Sequence, residues 1–252
     1  MDPLSLVVLA GVGIISGFLA GFLGIGGGVV VIPALVYVVG IDLRLATGIS
    51  MVLAMFTAFS GFLAHHRSGT VDVGLGVVLG SAGVVGALIG SFGSAQVAEG
   101  TLLVVYFFLV GGAMILLLFA PREEAEATTV SPFLAFPIGL VVGVLAGLLG
   151  VGGGFILTPL MITLLRVPTR IAVGTSLLTI VPTTVAGTIG KVATGQFDLA
   201  IGSVVVICGI LGAQVGARAS TRVSPRVIQV TLFALLATIL ARTAVDLFSR
   251  GP

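Results

Sequence analysis

Tryptophan is absent from the 252 residues, cysteine occurs once, tyrosine and histidine twice each, and only 8% of the chain is charged. Cys208 has no second cysteine to pair with, so no internal disulfide supports the fold. With no tryptophan, and with Tyr37 and Tyr106 as the only tyrosines, the aromatic markers of membrane interfaces are missing, and the ends of apolar segments are blurred by several residues. The scarcity of charge excludes a soluble domain, in which about 25% of residues are charged. A net charge of +2 spread over so few groups gives no nucleic-acid surface. No ATP-binding motif, serine–histidine pair or paired-histidine protease arrangement occurs, so an enzyme is not expected and no cofactor is implied. His65 and His66 have no carboxylate or cysteine partner nearby in sequence, which is poor grounds for a metal site.

One absence has a sign. No Asp or Glu falls inside any apolar run; Asp42, Asp72, Glu99, Asp198 and Asp246 lie at ends or in loops. Carriers of cations keep buried carboxylates or soft ligands as coordination sites. A membrane interior with hydrogen-bond donors and no fixed negative charge suits an anion.

What is present is apolar. Hydrophobic residues make up 58% of the chain and the mean hydropathy is +1.31. Apolar runs lie at 4–23, 27–41, 45–64, 73–91, 101–120, 133–150, 154–165, 171–190, 199–217 and 227–247. Most approach the ~20 residues that cross a bilayer. The runs at 27–41 and 154–165 are short and read as half-helices or re-entrant arms. The start, Met1-Asp2-Pro3-Leu4, lacks the basic region of a cleaved signal, so the first run is expected to remain as a membrane segment. The expectation is an all-α polytopic membrane protein in a lipid bilayer, with an N-terminal repeat at 1–120, a polar linker at 121–132 and a C-terminal repeat at 133–252.

Residues 13–90 align with 139–216 without a gap, giving 25 identities in 78 positions, 14 of them glycine. The non-glycine matches include Pro33/Pro159, Arg44/Arg170, Ser50/Ser176, Thr57/Thr183 and Asp72/Asp198. About five segments per half is an odd number, which predicts two inverted-topology repeats, each with a glycine-broken or re-entrant first helix pair. Counting ten segments puts Arg67, Arg122, Arg166, Arg170, Arg218, Arg222 and Arg226 on one side and Arg44, Lys191 and Arg250 on the other, which predicts a cytoplasmic first side. Reading each glycine-interrupted pair as a single span weakens the bias to six against four. Glycines four residues apart, Gly13, Gly17, Gly21 and Gly86, Gly90 with their mates, read as close helix contacts.

The clusters Gly24-Ile-Gly26-Gly27-Gly28 and Gly150-Val-Gly152-Gly153-Gly154 each end an apolar run and precede a proline five residues after the last glycine. A broken membrane helix exposes backbone N–H groups at the start of the next piece, and these suit an anion; a tight bend with no ligand is the plainer alternative. The sequences Arg44-Leu-Ala-Thr47-Gly48-Ile-Ser50 and Arg170-Ile-Ala-Val-Gly174-Thr175-Ser176 follow, with Thr57 and Thr183 further along. Their hydroxyls can donate to a substrate or to their own backbone. The arginines read as interfacial anchors or gating charges. His65 and Lys191 fall at a helix end, where an interfacial position is the expected one and a charge or proton role the alternative.

These paired Gly-Ile/Val-Gly-Gly-Gly…Pro motifs, the Arg-x-Ala-x-Gly-x-Ser sequences after them and the repeated layout resemble the sulfite exporter TauE/SafE family over nearly the whole chain. The match runs through Gly24, Gly26, Gly27, Gly28, Pro33, Arg44, Gly48 and Ser50, and again through Gly150, Gly152, Gly153, Gly154, Pro159, Arg170, Gly174, Thr175 and Ser176. The resemblance implies a multi-pass permease of a bacterial or archaeal inner membrane for sulfite, sulfonates or related small sulfur-containing anions. The expected site combines backbone donors at Gly26, Gly27, Gly28, Gly152, Gly153 and Gly154 with hydroxyls at Ser50, Thr57, Thr175, Ser176 and Thr183. Arg44, Arg170, His65 and Lys191 are candidates for gating or charge. A secondary transporter working by alternating access is the leading expectation, an anion channel with the breaks as a fixed filter is the alternative, and a packing-only subunit is a third reading. The sequence leaves a homo-oligomer open.

Overall fold

A computed structural model describes residues 3–119 and 130–250, the last five by backbone alone; most of the expected linker at 121–132 lies outside the described residues. The described chain is helical: α1 (Pro3–Leu23), α2 (Gly28–Ala34) with a π-helical turn at Leu35–Val39, α3 (Leu43–Arg67), α4 (Val73–Gly93), α5 (Glu99–Leu118), α6 (Pro132–Leu149), α7 (Gly154–Thr163), α8 (Thr169–Ala193), α9 (Leu199–Ser220) and α10 (Pro225–Arg250). Eight of these are long and apolar enough to cross a membrane; α7 and the α2–π piece are not. The protein is therefore a multi-pass membrane protein, with the two short pieces where the sequence places half-helices.

The helix ends explain the acids. Asp42 caps α3 by accepting from the Arg44 and Leu45 N–H groups. Asp72 caps α4 at Leu75 N and Asp198 caps α9 at Ile201 N, both at 2.9 Å and 126 residues apart. Each satisfies a donor that the first turn leaves without a helical partner.

The glycine stripes set the packing. A side chain at Gly13, Gly17 or Gly21 of α1 would run into the backbone of Val205, Gly209 or Ala213 of α9. Likewise Gly139, Gly143 and Gly147 of α6 lie on Leu79, Gly83 and Ala87 of α4. Both series rise together, so α1 runs parallel to α9 and α4 parallel to α6. Inside hydrocarbon there is little hydrophobic drive between helices, and close backbone approach supplies the attraction.

Two helices lie at the centre. In α3 and α8, 67% of the apolar window is buried, against 28% in α5 and α10, which present apolar side chains outward. The turn at each glycine break folds the chain back: a Cβ on Gly27 would meet Ser16 and Ala20 of α1, and one on Gly153 would meet Val142 and Ala146 of α6. Arg242, within α10, sits 5.0 Å over the ring of Tyr37.

Candidate functional site

The two glycine breaks have the same backbone. Gly24, Gly26 and Gly27 take φ of 71°, 72° and 78°; Gly150, Gly152 and Gly153 take 72°, 75° and 79°. These left-handed values are strained for any residue with a Cβ, which accounts for three glycines at matching places in each copy.

The breaks touch each other. A Cβ on Gly28 would lie 2.5 Å from Val151 Cα, and one on Gly154 would lie 2.8 Å from Ile25 Cα. Gly26 and Gly152 share two neighbours, Ala54 and Ile180, which are themselves 126 residues apart. The centre between the breaks is thus closed by apolar side chains from α3 and α8.

Each break is held by the opposite repeat. Ser50 Oγ donates to the Gly150 carbonyl at 2.6 Å, and Ser176 Oγ donates to the Gly24 carbonyl at 2.8 Å. Thr158 adds a second hydroxyl to Gly24 at 3.2 Å. Thr57 reaches the Gly26 carbonyl at 3.3 Å and its own helix at Leu53 at 2.8 Å. The sequence offered substrate or backbone as partners for these hydroxyls, and in this conformation the backbone has them. They satisfy carbonyls that a break in a membrane helix otherwise leaves bare.

Thr175 and Thr183 are buried but make no hydrogen bond to a break. Thr175 Oγ1 accepts the Asp72 N–H at 2.9 Å, tying α8 to the loop before α4, and Thr183 bonds Thr179 O within α8. The arginines behave as a pair. Arg44 donates to Val97 O at 3.5 Å and Arg170 to Val223 O at 2.8 Å, and the two acceptors are again 126 residues apart. Among the described residues only Arg44 of the two adds an ion pair, to Glu99 at 3.8 Å, with both side chains more than 40% exposed.

His65 and Lys191 lie in the last turns of α3 and α8, the helix ends expected of them, and both are buried there. They are 1% and 0% exposed. The reason lies in the helices that carry them: α3 and α8 are the most enclosed spans, and both side chains turn inward at their ends. His65 Nδ1 is 2.9 Å from Thr70 Oγ1. Lys191 Nζ donates to Ser94 Oγ (2.9 Å), Gln196 Oε1 (2.9 Å), Thr47 Oγ1 (3.1 Å) and Leu148 O (3.4 Å).

Four participants escaped the sequence reading, Thr158 at the Gly24 carbonyl among them. Gln196 and Ser94 belong to the lysine cage; Gln196 is the repeat mate of Thr70, an offset the alignment contained. Tyr106 Oη donates to Val29 O at 2.9 Å. Pro33 has no N–H for that carbonyl four residues back, so the proline itself called for an outside donor. Tyr106 also borders a cavity of about 30 Å³ with Pro33, Tyr37, Thr47, Leu149 and Thr243. That is room for about one water, and Thr47 connects it to Lys191.

A family profile described as sulfite exporter TauE/SafE matches residues 9–243. A probable membrane transporter protein of Xylella fastidiosa (strain 9a5c) is 31% identical over 233 residues, covering 87% of each chain. The probable membrane transporter protein YdhB of Bacillus subtilis (strain 168) is 33% identical over 220 residues, 84% of this chain and 89% of its own. An archaeal relative, a probable membrane transporter protein of Methanocaldococcus jannaschii, is 24% identical over 255 residues, 92% of this chain and 93% of its own.

Proposed function

The chain belongs to the sulfite exporter TauE/SafE family, and from that premise we propose that it is a secondary transporter of small sulfur-containing anions, sulfite, sulfonate or related, working by alternating access in a bacterial or archaeal inner membrane. One observation carries this reading: two glycine breaks of the same conformation lie back to back, each held by a serine of the other repeat. A fold-back at each break, with α1 parallel to α9 and α4 parallel to α6, supports two repeats of opposite topology. Rocking of one repeat against the other then breaks one serine–carbonyl contact while its mate holds.

In this reading the N–H groups opening α2 and α7 face the anion, because the first turn of a helix has no acceptors for them and carries the positive end of the dipole. Ser50, Ser176 and Thr57 position those donors by holding the carbonyls. The apolar seal of Ala54 and Ile180 favours alternating access over a channel, which needs a continuous wet path.

The test is a thermal-shift screen of purified protein against sulfite, sulfate, thiosulfate and methanesulfonate. A saturable rise in Tm with sulfite or methanesulfonate is expected. Folded protein that responds to none of the four contradicts the reading.

A further inference from the structure

Resting on the anion-transport reading above, we propose that Lys191 is the charged anchor of the transported oxyanion, and that the chain holds a single such site despite its duplication.

The argument begins with the cage. The hydroxyls around Lys191 send their own protons elsewhere: Thr47 Oγ1 donates to Arg44 O at 2.8 Å and Ser94 Oγ to Ser91 O at 2.7 Å. The Gln196 amide nitrogen turns to Thr194 Oγ1 at 2.9 Å and Ser94 Oγ at 3.3 Å. Every group facing Nζ therefore offers a lone pair, and the four acceptors exceed the three protons an ammonium donates. This arrangement solvates a cation. It does not cancel the charge, because all four oxygens are neutral.

No countercharge stands by. Among the described residues no carboxylate oxygen lies within 4.0 Å of Lys191, and the ion pair that Glu99 makes is with Arg44. Asp42, Asp72 and Asp198 are spent on helix caps. A buried ion is retained when it is paired, and a missing partner costs several kcal/mol. A small anion entering the membrane interior meets the same penalty. Each relieves the other, and this makes the lysine a site for an oxyanion rather than a structural post.

Place supports this. Leu148 O, the longest contact, precedes the break at Gly150 by two residues and is the contact an anion oxygen replaces. Thr47 joins the two features, with its Oγ1 on Lys191 and its Cβ 2.7 Å from where a Gly150 Cβ would lie.

The other repeat has no such cage. The mates of Lys191, Gln196, Thr47 and Ser94 are His65, Thr70, Val173 and Ser220. The aliphatic stem, the amide and the first hydroxyl are all lost there, and His65 bonds locally to Thr70. A duplicated frame thus carries one charged anchor.

The experiment measures sulfite and methanesulfonate binding by calorimetry, with uptake into proteoliposomes, for wild type, Lys191→Met, Lys191→Arg and Thr47→Val. Expected are one anion per chain in wild type, at least a tenfold weaker affinity in K191M, and a three- to tenfold weakening in T47V, which installs the residue of the other repeat. K191R, which keeps the charge, retains measurable binding. Wild-type binding that K191M and T47V both leave within twofold overturns the anchor while sparing the transport reading. Two anions per chain overturns the single site. Folded wild type that neither binds nor moves either anion overturns both proposals. If K191M does not yield monodisperse protein, T47V decides: a weakening of threefold or more supports the anchor, and binding within twofold of wild type overturns it.

Discussion

Ser50 Oγ lies 2.6 Å from the carbonyl oxygen of Gly150, a hydrogen bond across 100 residues that joins one central helix to the break of the opposite repeat. Ser176 and Gly24 repeat it at 2.8 Å. Replacing either serine by alanine leaves a buried carbonyl short of a donor, at about 1–3 kcal/mol. S50A is expected to lower Tm in detergent by several degrees. S176A is expected to be milder, since Thr158 also reaches Gly24. Equal and negligible shifts would remove the serines from this role.

Gly28 and Gly154 are helical in φ but crowded, so substitution there tests contact between the breaks rather than backbone strain. An alanine at either position meets backbone of the other break at under 3.0 Å. G28A and G154A are expected to insert into the membrane and to lose most transport. Normal rates would show that the breaks need not touch.

Tyr106 and Pro33 make a double-mutant cycle. Tyr106→Phe strips Val29 O of its donor and is expected to destabilise by about 1–3 kcal/mol. With Pro33→Ala also present, a backbone N–H becomes available four residues on, and the Y106F penalty should shrink by more than half. Chemical or thermal unfolding of the four proteins measures this. An unchanged penalty would refute the pairing.

The Arg44–Glu99 pair is exposed on both sides. Such pairs contribute about 0–1 kcal/mol. Glu99→Gln should therefore leave Tm nearly unchanged, and a drop of many degrees would show that the pair supports the fold.

Much of the frame was legible in the residues. Eight long apolar runs, two short ones after glycine clusters and a constant offset of 126 lead to the helix order, and the offset recurs in contacts beyond the aligned stretch, at Val97 and Val223. The glycine clusters marked the breaks, and positive φ at three of the four glycines in each accounts for them. What sequence left hidden was direction. A hydroxyl's partner depends on which carbonyl a distant break exposes, so Ser50 could not be told from Thr175, which binds the Asp72 N–H instead. The burial of Lys191 was hidden too, because a residue near a helix end reads as exposed, whereas the end of α8 is covered by Ser94, Gln196 and Leu148.

The central claim is carriage of a sulfur oxyanion through the paired breaks, and sulfite counterflow in proteoliposomes tests it most directly. Vesicles loaded with unlabelled sulfite should transiently accumulate labelled sulfite above equilibrium, saturably, and Gly27→Leu with Gly153→Leu should abolish the overshoot while the protein still inserts. Flux that neither overshoots nor saturates, or full counterflow in the double mutant, would contradict the account.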